Sequence, residues 1–333
     1  MLPARDCNLQ DHPGRGAVLK FRGLKPMEKK VDNWSEQLRN LWSGEIEWNS
    51  PMARWCTLQV GGAARAIATP ADREELQSLL AVLTKLGVCW RVIGRGSNLL
   101  VSDAGYDGVI VMLGRKFAAI GQRAGKNVGE TLVQVEAGCS LMKLVNWCAA
   151  QGLEGLEFAA GIPGSVGGAV VMNAGAWGKE MSEALASVTF LSGPGEFAER
   201  KKGDLAFSYR HLDAEGMIVV AAEFLLQVGD RQAIESRGRQ LMRDRKEKQP
   251  QGLANAGSFF KNPAGLPPAG KLIQDAELKG LQVGGARVSE VHANFLVNTG
   301  SATAQDFLDL MRRVQEKVFE RFGVWLEPEV HIL

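Results

Sequence analysis

Glycine is concentrated in two stretches of this chain, and they constrain its fold more than any other feature. The protein has 39 glycines among 333 residues, about 12% where ~7% is usual. The first stretch is residues 94–100 and the second is residues 161–178. Because glycine has no Cβ, backbone N–H groups can approach and converge on a ligand. The first stretch therefore predicts a phosphate site and the second a site for a flat ligand or a pyrophosphate, with tight turns as the alternative.

The first stretch does not match the common nucleotide-binding fingerprints. Leu99 stands where the dinucleotide fingerprint has its third glycine, and the pattern that follows is that of a strand instead of a helix. The sequence GxxxxGK[ST] occurs nowhere in the chain. In the second stretch, a helix that starts near Ser165 would add its positive end to the site. The second stretch is thus the stronger candidate for a cofactor site.

The composition indicates a globular protein with two domains. Its 333 residues exceed one ordinary domain, and 45% of them are hydrophobic and 23% charged. The net charge of +2 is too small for a protein whose main role is to neutralise a phosphate backbone. The chain has no apolar run of the roughly 18 residues that a membrane span needs, and its N-terminus lacks the apolar core of a signal peptide, so we expect a cytoplasmic protein.

Residues that commonly bind metals are few and scattered. The five cysteines form no CxxC pair, and there are four histidines in the chain. Cys148 shares one face of a helical pattern with Leu141, Leu144 and Val145, which favours a packing role for its thiol. No metal site is expected.

The first half of the chain is predicted to contain a leader followed by alternating helices and strands. Residues 1–33 lack hydrophobic periodicity and are predicted to be disordered; because they are basic, a nucleic-acid-binding tail is the alternative. Asp72 opens a helical pattern that ends at Gly87. A second helix is predicted at residues 140–151, and strands at residues 88–93, 108–113, 132–136, 188–191 and 217–227.

The C-terminal third contains a charged helix, a long loop and a well-marked last helix. Residues 230–248 alternate in charge at helical spacing, and residues 249–268 have the composition of a functional loop. Thr303 and Asp306 predict a capping box for a helix that Gly323 ends, and residues 324–333 are predicted to form a strand. The apolar stripe of the last helix is predicted to consist of Phe307, Met311, Val314, Val318 and Phe322.

Four further motifs place polar residues in unusual surroundings. They are Tyr209-Arg210 and residues 257–263, 289–294 and 327–329. Each alone has a structural explanation, because a Tyr-Arg pair is usually a surface ion-pair site, a serine among glycines is usually a turn, and a C-terminal glutamate is usually solvated.

Taken together and in order, these motifs resemble the UDP-N-acetylenolpyruvoylglucosamine reductase family. The resemblance covers about residues 50–333, from the glycine stretches to the ending at residues 326–330. It implies an α+β fold, in which a two-part FAD-binding region of the vanillyl-alcohol-oxidase (PCMH) type precedes an α+β substrate-binding domain. The expected divisions are a leader at residues 1–49, the FAD-binding domain with two subdomains at 50–226, and the substrate-binding domain at 227–333.

The resemblance also implies a reaction and a set of site residues. The family uses NADPH and non-covalently bound FAD to reduce UDP-N-acetylglucosamine enolpyruvate to UDP-N-acetylmuramate, in peptidoglycan precursor synthesis. In its pattern Arg210 and Glu329 stabilise charge at the substrate carboxylate, and Ser258 gives a proton to C2. The implied substrate-binding residues are Tyr209, Lys248 and Asn262. The implied cofactor-binding residues are Gly94, Arg95, Gly96, Ser97, Asn98, Leu99, Gly161, Ile162, Pro163, Gly164, Ser165, Gly167, Gly168, Ala169, Asn173 and Gly175.

The chain departs from the family pattern at two places. Leu212 stands where members often have serine, and the spacing between Arg210 and Ser258 leaves no room for the extra loop of the longer class. The resemblance is thus to the shorter, type II class, and the residue that closes the site over the substrate diphosphate is not predicted. For Lys248, a solvated helix end remains the alternative to diphosphate binding.

Two other functions remain alternatives to this reductase. One is a related FAD-dependent oxidase or dehydrogenase of an alcohol or hydroxy acid; it is disfavoured because no histidine that could tether a flavin lies between His12 and His211. The other is a non-catalytic flavin- or nucleotide-binding protein whose basic leader contacts nucleic acid. The favoured function predicts the enolpyruvyl substrate and NADPH as partners, without nucleic acid, membrane insertion or an obligatory protein partner.

Overall fold

The protein is described by a computed structural model over residues 33–193, 195–214 and 216–333. The predicted disorder of the leader concerns residues that lie, except for residue 33, outside this described part. The helices are α1 Trp34–Leu41, α2 Arg73–Leu86, α3 Leu141–Ala150, α4 Val166–Val171, α5 Met181–Ala184, α6 Arg231–Lys248, α7 Ala269–Asp275 and α8 Ala304–Phe322. The strands are β1 Glu45–Pro51, β2 Ala63–Thr69, β3 Trp90–Ile93, β4 Leu99–Leu100, β5 Tyr106–Met112, β6 Ile120–Ala124, β7 Glu130–Glu136, β8 Leu153–Glu154, β9 Gly175–Ala176, β10 Lys179–Glu180, β11 Leu185–Ser192, β12 Phe197–Lys201, β13 Phe207–Ser208, β14 His211–Leu212, β15 Met217–Val228, β16 Ala254–Asn255, β17 Gln282–Val283, β18 Ala286–Val288, β19 Leu296–Asn298 and β20 His331–Ile332.

The first sheet has the order β1-β2-β5-β3, in which β5 is parallel to both β2 and β3. Helix α2 connects β2 to β3 and confirms the predicted boundaries: the Asp72 carboxylate accepts from the Glu75 N–H at 2.9 Å, and Gly87 ends the helix with φ 64°. Its buried leucines share one apolar core with the inward residues of β2 and β5.

The second sheet is antiparallel, with the order β12-β11-β15-β7-β6 and β8 paired to β15. Each strand predicted at residues 132–136, 188–191 and 217–227 lies within one of these strands. Cys148 is buried on α3 with Leu141 and Leu144, which confirms its packing role. The two sheets share one apolar core, so this part of the protein forms a two-sheet unit.

The C-terminal part packs α7 and α8 on a small antiparallel sheet of order β16-β19-β18-β17. The capping box of Thr303 and Asp306 is confirmed, and Gly323 ends α8 with φ 70°. The predicted stripe is wrong at Phe322, which is exposed, and it omits Leu310, which is buried; Met311 is partly buried and packs on the same core. The predicted strand at residues 324–333 is also too long: β20 pairs with the two-residue β4, Pro328 forms an isolated bridge with Phe260, and the other residues of this segment lie outside any strand.

The two predicted domain boundaries, at residues 49/50 and 226/227, do not coincide with the ends of the packed elements. Helix α1 and strand β1 start before residue 50, and Leu38 is buried in the same core as both sheets, so the folded first part begins ahead of that boundary. Strand β15 continues across the predicted division at residues 226 and 227. Within the described residues, no helix is both long enough and apolar enough to span a membrane.

Candidate active site

The two glycine-rich stretches lie against each other. The Ser97 hydroxyl donates to the Pro163 carbonyl at 3.1 Å, and a Cβ placed on Gly94 would overlap the Ser165 hydroxyl oxygen. Gly164 has a φ of 135°, a backbone conformation that favours glycine. The structure thus brings together the two groups of predicted cofactor-binding residues, although their sequences are about 65 residues apart.

Part of the second stretch is buried in the protein core. Ser165 caps α4 by accepting from the Gly168 N–H at 3.3 Å. The Gly167 N–H donates to the Ala137 carbonyl at 2.8 Å, and a Cβ on Gly167 would lie 2.8 Å from the Ala137 methyl carbon. Gly167 and Ala169 are therefore buried packing residues, while Gly168 is exposed on the opposite side of the helix.

Two groups beside the glycine stretches lack partners within the described residues. The Thr57 hydroxyl is buried without a hydrogen bond, while the Thr57 N–H donates to the Gly96 carbonyl at 3.0 Å. The Arg245 guanidinium packs against Gly161, and its burial lowers its pKa because no carboxylate compensates. An unsatisfied hydroxyl and an unpaired cation next to two small-residue loops fit the polar groups and the pyrophosphate of a dinucleotide cofactor.

Arg210 and Glu329 meet although they are 119 residues apart in sequence. Arg210 lies in the two-residue turn between β13 and β14, with a left-handed φ of 58°. Its Nε donates to Glu329 Oε1 at 3.2 Å, its Nη2 donates to the Gly175 carbonyl at 3.1 Å, and its Nη1 lies 3.6 Å from a Glu180 carboxylate oxygen. Two hydrogen bonds and one ion pair thus hold the guanidinium in place, and the side chain is 18% exposed.

The pKa of Glu329 is raised above its ordinary value by burial, which outweighs the opposing effect of Arg210 and Lys261. The Glu329 backbone is held on both sides, because its N–H donates to the Phe259 carbonyl at 2.8 Å and its carbonyl accepts from Asn98 Nδ2 at 2.9 Å. The second of these bonds ties the carboxylate-bearing segment to the first glycine stretch. A buried carboxyl with a raised pKa beside an arginine is an arrangement typical of functional sites.

Ser258 immediately precedes Phe259, whose carbonyl accepts from the Glu329 N–H. It is half-buried, follows Gly257 with its φ of 78°, and precedes the fully buried Phe259. The Phe259 N–H donates to the Asn294 carbonyl at 2.7 Å, and the Asn294 side chain bonds both backbone groups of Phe260. The polar motifs at residues 257–263, 289–294 and 327–329 therefore form one hydrogen-bonded unit that holds the Ser258 backbone.

Of the three predicted substrate-binding residues, Tyr209 contacts Arg210, whereas Lys248 and Asn262 contact other residues. The exposed Tyr209 ring centroid is 4.8 Å from the Arg210 Cζ. Lys248, the last residue of α6, lies with Nζ 5.2 Å from the ring centroid of Trp177. Asn262 is exposed and accepts from the Ala269 N–H at 3.0 Å at the start of α7, and no contact joins it to Arg210 within the described residues.

Several residues of this region were not predicted from the sequence. Glu180 bonds Asn173 Nδ2 at 2.7 Å as well as facing Arg210, and nothing in the sequence distinguishes it from a solvated glutamate. Arg245 is one of several basic residues on a charged helix, and Thr57 has no motif around it. Within the part of the chain that the structure describes, no cluster of three or more His, Cys, Asp or Glu residues could hold a metal ion.

Two family models match this chain. Residues 64–199 match the FAD binding domain, and residues 249–333 match the C-terminal domain of UDP-N-acetylenolpyruvoylglucosamine reductase. The first match covers both glycine stretches, and the second covers Ser258 and Glu329. The predicted order of an FAD-binding region followed by a substrate-binding domain is confirmed by these two matches.

Curated relatives and a solved structure agree with the family models. The chain is 46% identical over 291 residues to a UDP-N-acetylenolpyruvoylglucosamine reductase of Geotalea uraniireducens, covering 87% of this chain and 94% of the relative. It is 40% identical over 308 residues to the one of Bacillus pumilus, covering 91% and 99%. The crystal structure of the Thermus caldophilus reductase superimposes with a TM-score of 0.73 at 37% identity, covering 87% of this chain and 98% of that one.

Proposed function

Because this chain belongs to the UDP-N-acetylenolpyruvoylglucosamine reductase family, we propose that Arg210, Ser258 and Glu329 act on the substrate of its reaction. The enzyme uses NADPH and FAD to reduce UDP-N-acetylglucosamine enolpyruvate to UDP-N-acetylmuramate in peptidoglycan precursor synthesis. The observation that supports the catalytic assignment best is the contact of Arg210 with Glu329, one hydrogen bond away from the residue that follows Ser258.

Bound FAD would supply hydride transfer, from NADPH to C3 of the enolpyruvyl group. Addition at C3 leaves negative charge that spreads from C2 into the substrate carboxylate, and C2 must then gain a proton. Catalysis by the protein therefore requires a cation or a hydrogen-bond donor at the carboxylate and a proton donor at C2.

Arg210 and Glu329 provide the carboxylate end of this arrangement. The Arg210 guanidinium is preorganised by two hydrogen bonds and one ion pair, so it stabilises the developing charge without reorganising during the reaction. The raised pKa of Glu329 keeps its carboxyl protonated to higher pH, so it can donate a hydrogen bond to the substrate carboxylate instead of repelling it.

Ser258 provides the proton for C2. Its hydroxyl forms no hydrogen bond with the described residues, so it is free to face a substrate, and its backbone is fixed by the unit around Phe259 and Asn294. A serine hydroxyl is a weak acid in water, but it suffices for a strongly basic carbon held within hydrogen-bond reach.

The remaining predicted residues are assigned to binding. Tyr209, Lys248 and Asn262 hold the UDP-sugar, with Lys248 at its diphosphate. The glycine stretches, with Thr57 and Arg245, hold FAD without a covalent bond. The FAD-binding region ends near residue 226 and begins before residue 50, where α1 and β1 already pack on its core. The cytoplasm, where NADPH and nucleotide sugars are made, is the proposed location, and no nucleic acid or obligatory protein partner takes part.

The experiment that tests the catalytic assignment is Ser258→Ala, followed by stopped-flow flavin absorbance in each half-reaction. Reduction of the flavin by NADPH should persist, because no step of it needs the hydroxyl. Its reoxidation by the enolpyruvyl substrate should slow by roughly 10² to 10⁴ fold, the contribution of a positioned general acid. Ser258→Cys should recover part of the rate because a thiol also donates a proton. Equal slowing of both steps, or of neither, would contradict the assignment.

A further inference from the structure

The turn between β9 and β10 carries a residue that its backbone conformation disfavours. The two strands pair with Ala176 opposite Lys179, which leaves Trp177 and Gly178 as a two-residue turn. Their φ values of 58° and 78° are both left-handed, as a type I′ turn requires. Asn-Gly is the preferred pair for such a turn, and a large aromatic residue at its first position is strained. Such an outlier calls for an explanation outside the turn.

The same hairpin is part of the active site. The Gly175 carbonyl accepts from Arg210 Nη2, and the Glu180 carboxylate faces Arg210 Nη1. Glu180 also accepts from Asn173 Nδ2 at 2.7 Å, which anchors the base of the hairpin. The position of Trp177 at its tip is therefore set by the residues that hold the guanidinium.

Trp177 presents its indole ring to a single cation. The residue is 42% exposed, and Lys248 Nζ lies 5.2 Å from its ring centroid, within the range of a cation–π interaction. Lys248 is itself exposed, and among the described residues its ammonium has no carboxylate partner and no hydrogen bond. Without the indole, this four-carbon side chain at the end of α6 would sample many rotamers in solvent.

We propose that Trp177 is a positioning residue for Lys248: its indole face holds the ammonium beside the active site, so that the cation is in place when the substrate diphosphate binds. This inference rests on the proposed assignment of Lys248 to the diphosphate. The strained turn is retained because asparagine, which suits the backbone better, offers no aromatic face.

The test measures binding of UDP to the holoenzyme by titration calorimetry, together with the steady-state kinetics of the full reaction. Trp177→Asn should weaken UDP binding by roughly 3- to 10-fold, the range of a partly exposed cation–π contact. The KM for the enolpyruvyl substrate should rise by a similar factor while kcat changes little. The melting temperature should not fall, because Asn-Gly suits the turn. Trp177→Phe should retain part of the affinity, since it keeps a smaller aromatic face.

Lys248→Met provides the second half of a double-mutant cycle. If Trp177 acts through Lys248, adding Trp177→Asn to Lys248→Met should cause no further loss of UDP affinity. Lys246→Met, which removes an exposed lysine of the same helix, is the matched control and should leave UDP affinity unchanged.

The outcomes separate the inference from its premise. If Lys248→Met leaves UDP affinity unchanged, the diphosphate assignment is wrong and the inference falls with it, whereas the Ser258 result is unaffected. If Lys248→Met weakens binding but Trp177→Asn does not, the premise stands and the inference is wrong. An equal loss from Trp177→Asn with and without Lys248 also overturns it, because the indole would then act on the nucleotide directly.

Discussion

Glu329 is surrounded by groups that act in opposite directions on its pKa. Burial of the side chain, which is 15% exposed, disfavours the carboxylate, whereas Arg210 at 3.2 Å favours it. The net effect is a raised pKa. The Glu329 carboxyl therefore stays protonated at higher pH than a solvated glutamate, whose ordinary pKa is 4.5.

We expect Glu329→Gln to remove a limb of the pH profile of flavin reoxidation. In the unchanged enzyme the rate should fall as pH rises through the raised pKa, because the carboxylate repels the substrate carboxylate. Glutamine resembles the protonated acid and does not titrate, so the variant should keep a flat profile over that range, which stopped-flow absorbance at several pH values measures. A fall at the same pH in both proteins would show that another group titrates.

The same substitution should change stability with a definite sign. The raised pKa means that the contribution of Glu329 to stability is fully present below about 4.5 and is lost as pH rises through the folded-state value. The melting temperature of Glu329→Gln relative to the unchanged protein should therefore increase with rising pH. A constant difference would mean that folding does not shift the pKa of Glu329.

At the scale of elements, the two glycine stretches approach each other closely because Gly94 has no side chain where it meets Ser165. Gly94 has no disfavoured backbone angle, yet a Cβ there would overlap the Ser165 hydroxyl oxygen. Ser97, in contrast, uses its side chain to join the stretches through the Pro163 carbonyl. The close approach of the two loops thus depends on the missing Cβ of Gly94 and on the hydrogen bond from Ser97 to the Pro163 carbonyl.

We expect Gly94→Ala to weaken FAD binding by separating the two loops. Overpacking of a close contact costs about 1–3 kcal/mol, which corresponds to roughly 5- to 150-fold in affinity. Titration of the apoprotein with FAD, followed by flavin fluorescence, measures the change. Gly121→Ala is the control: it makes the same chemical change on exposed β6, where an added Cβ has no described atom within 4 Å. Similar losses in both variants would indicate a general effect on folding instead.

At the scale of the whole molecule, the C-terminal part is attached to the first part by hydrogen bonds between side chains of one part and backbone groups of the other. The Asp103 carboxylate accepts from the Ala304 and Gln305 N–H groups at 2.8 and 2.9 Å, so it caps α8 from more than 200 residues away. The Asn298 Nδ2 donates to the Leu58 carbonyl at 3.0 Å. These bonds join the two parts of the protein, and unfolding of one part should therefore destabilise the other.

We expect Asp103→Ala to lower the free energy of unfolding by about 1–2 kcal/mol, because it removes a carboxylate cap from a helix N-terminus. Urea unfolding followed by circular dichroism and by flavin fluorescence measures the loss in both parts of the protein. Asp107→Ala is the control, since Asp107 is 79% exposed and its pair with Arg65 should contribute less than about 1 kcal/mol. Equal destabilisation by the two substitutions would refute the role of Asp103 as an interdomain cap.

The sequence by itself determined the elements whose signals are local. Asp72 and Gly87 bound α2, Thr303 begins α8, and both glycine stretches were identified as candidate binding loops, because capping bonds, positive φ angles and periodicity depend on neighbours within a few residues. The family resemblance named Arg210, Ser258 and Glu329 by their motifs, and the assignment of these three residues stays a proposal.

Only the tertiary structure decided which of these local features meet. The Arg210–Glu329 contact, the holding role of Glu180 and the pairing of Trp177 with Lys248 join residues on separate hairpins and helices. The predicted strand at residues 324–333 is interrupted for the same reason, because its parts pair with different segments: β20 pairs with β4, and Pro328 bridges Phe260. Such contacts depend on how sheets and helices pack across the whole chain, and no window of neighbouring residues contains that information.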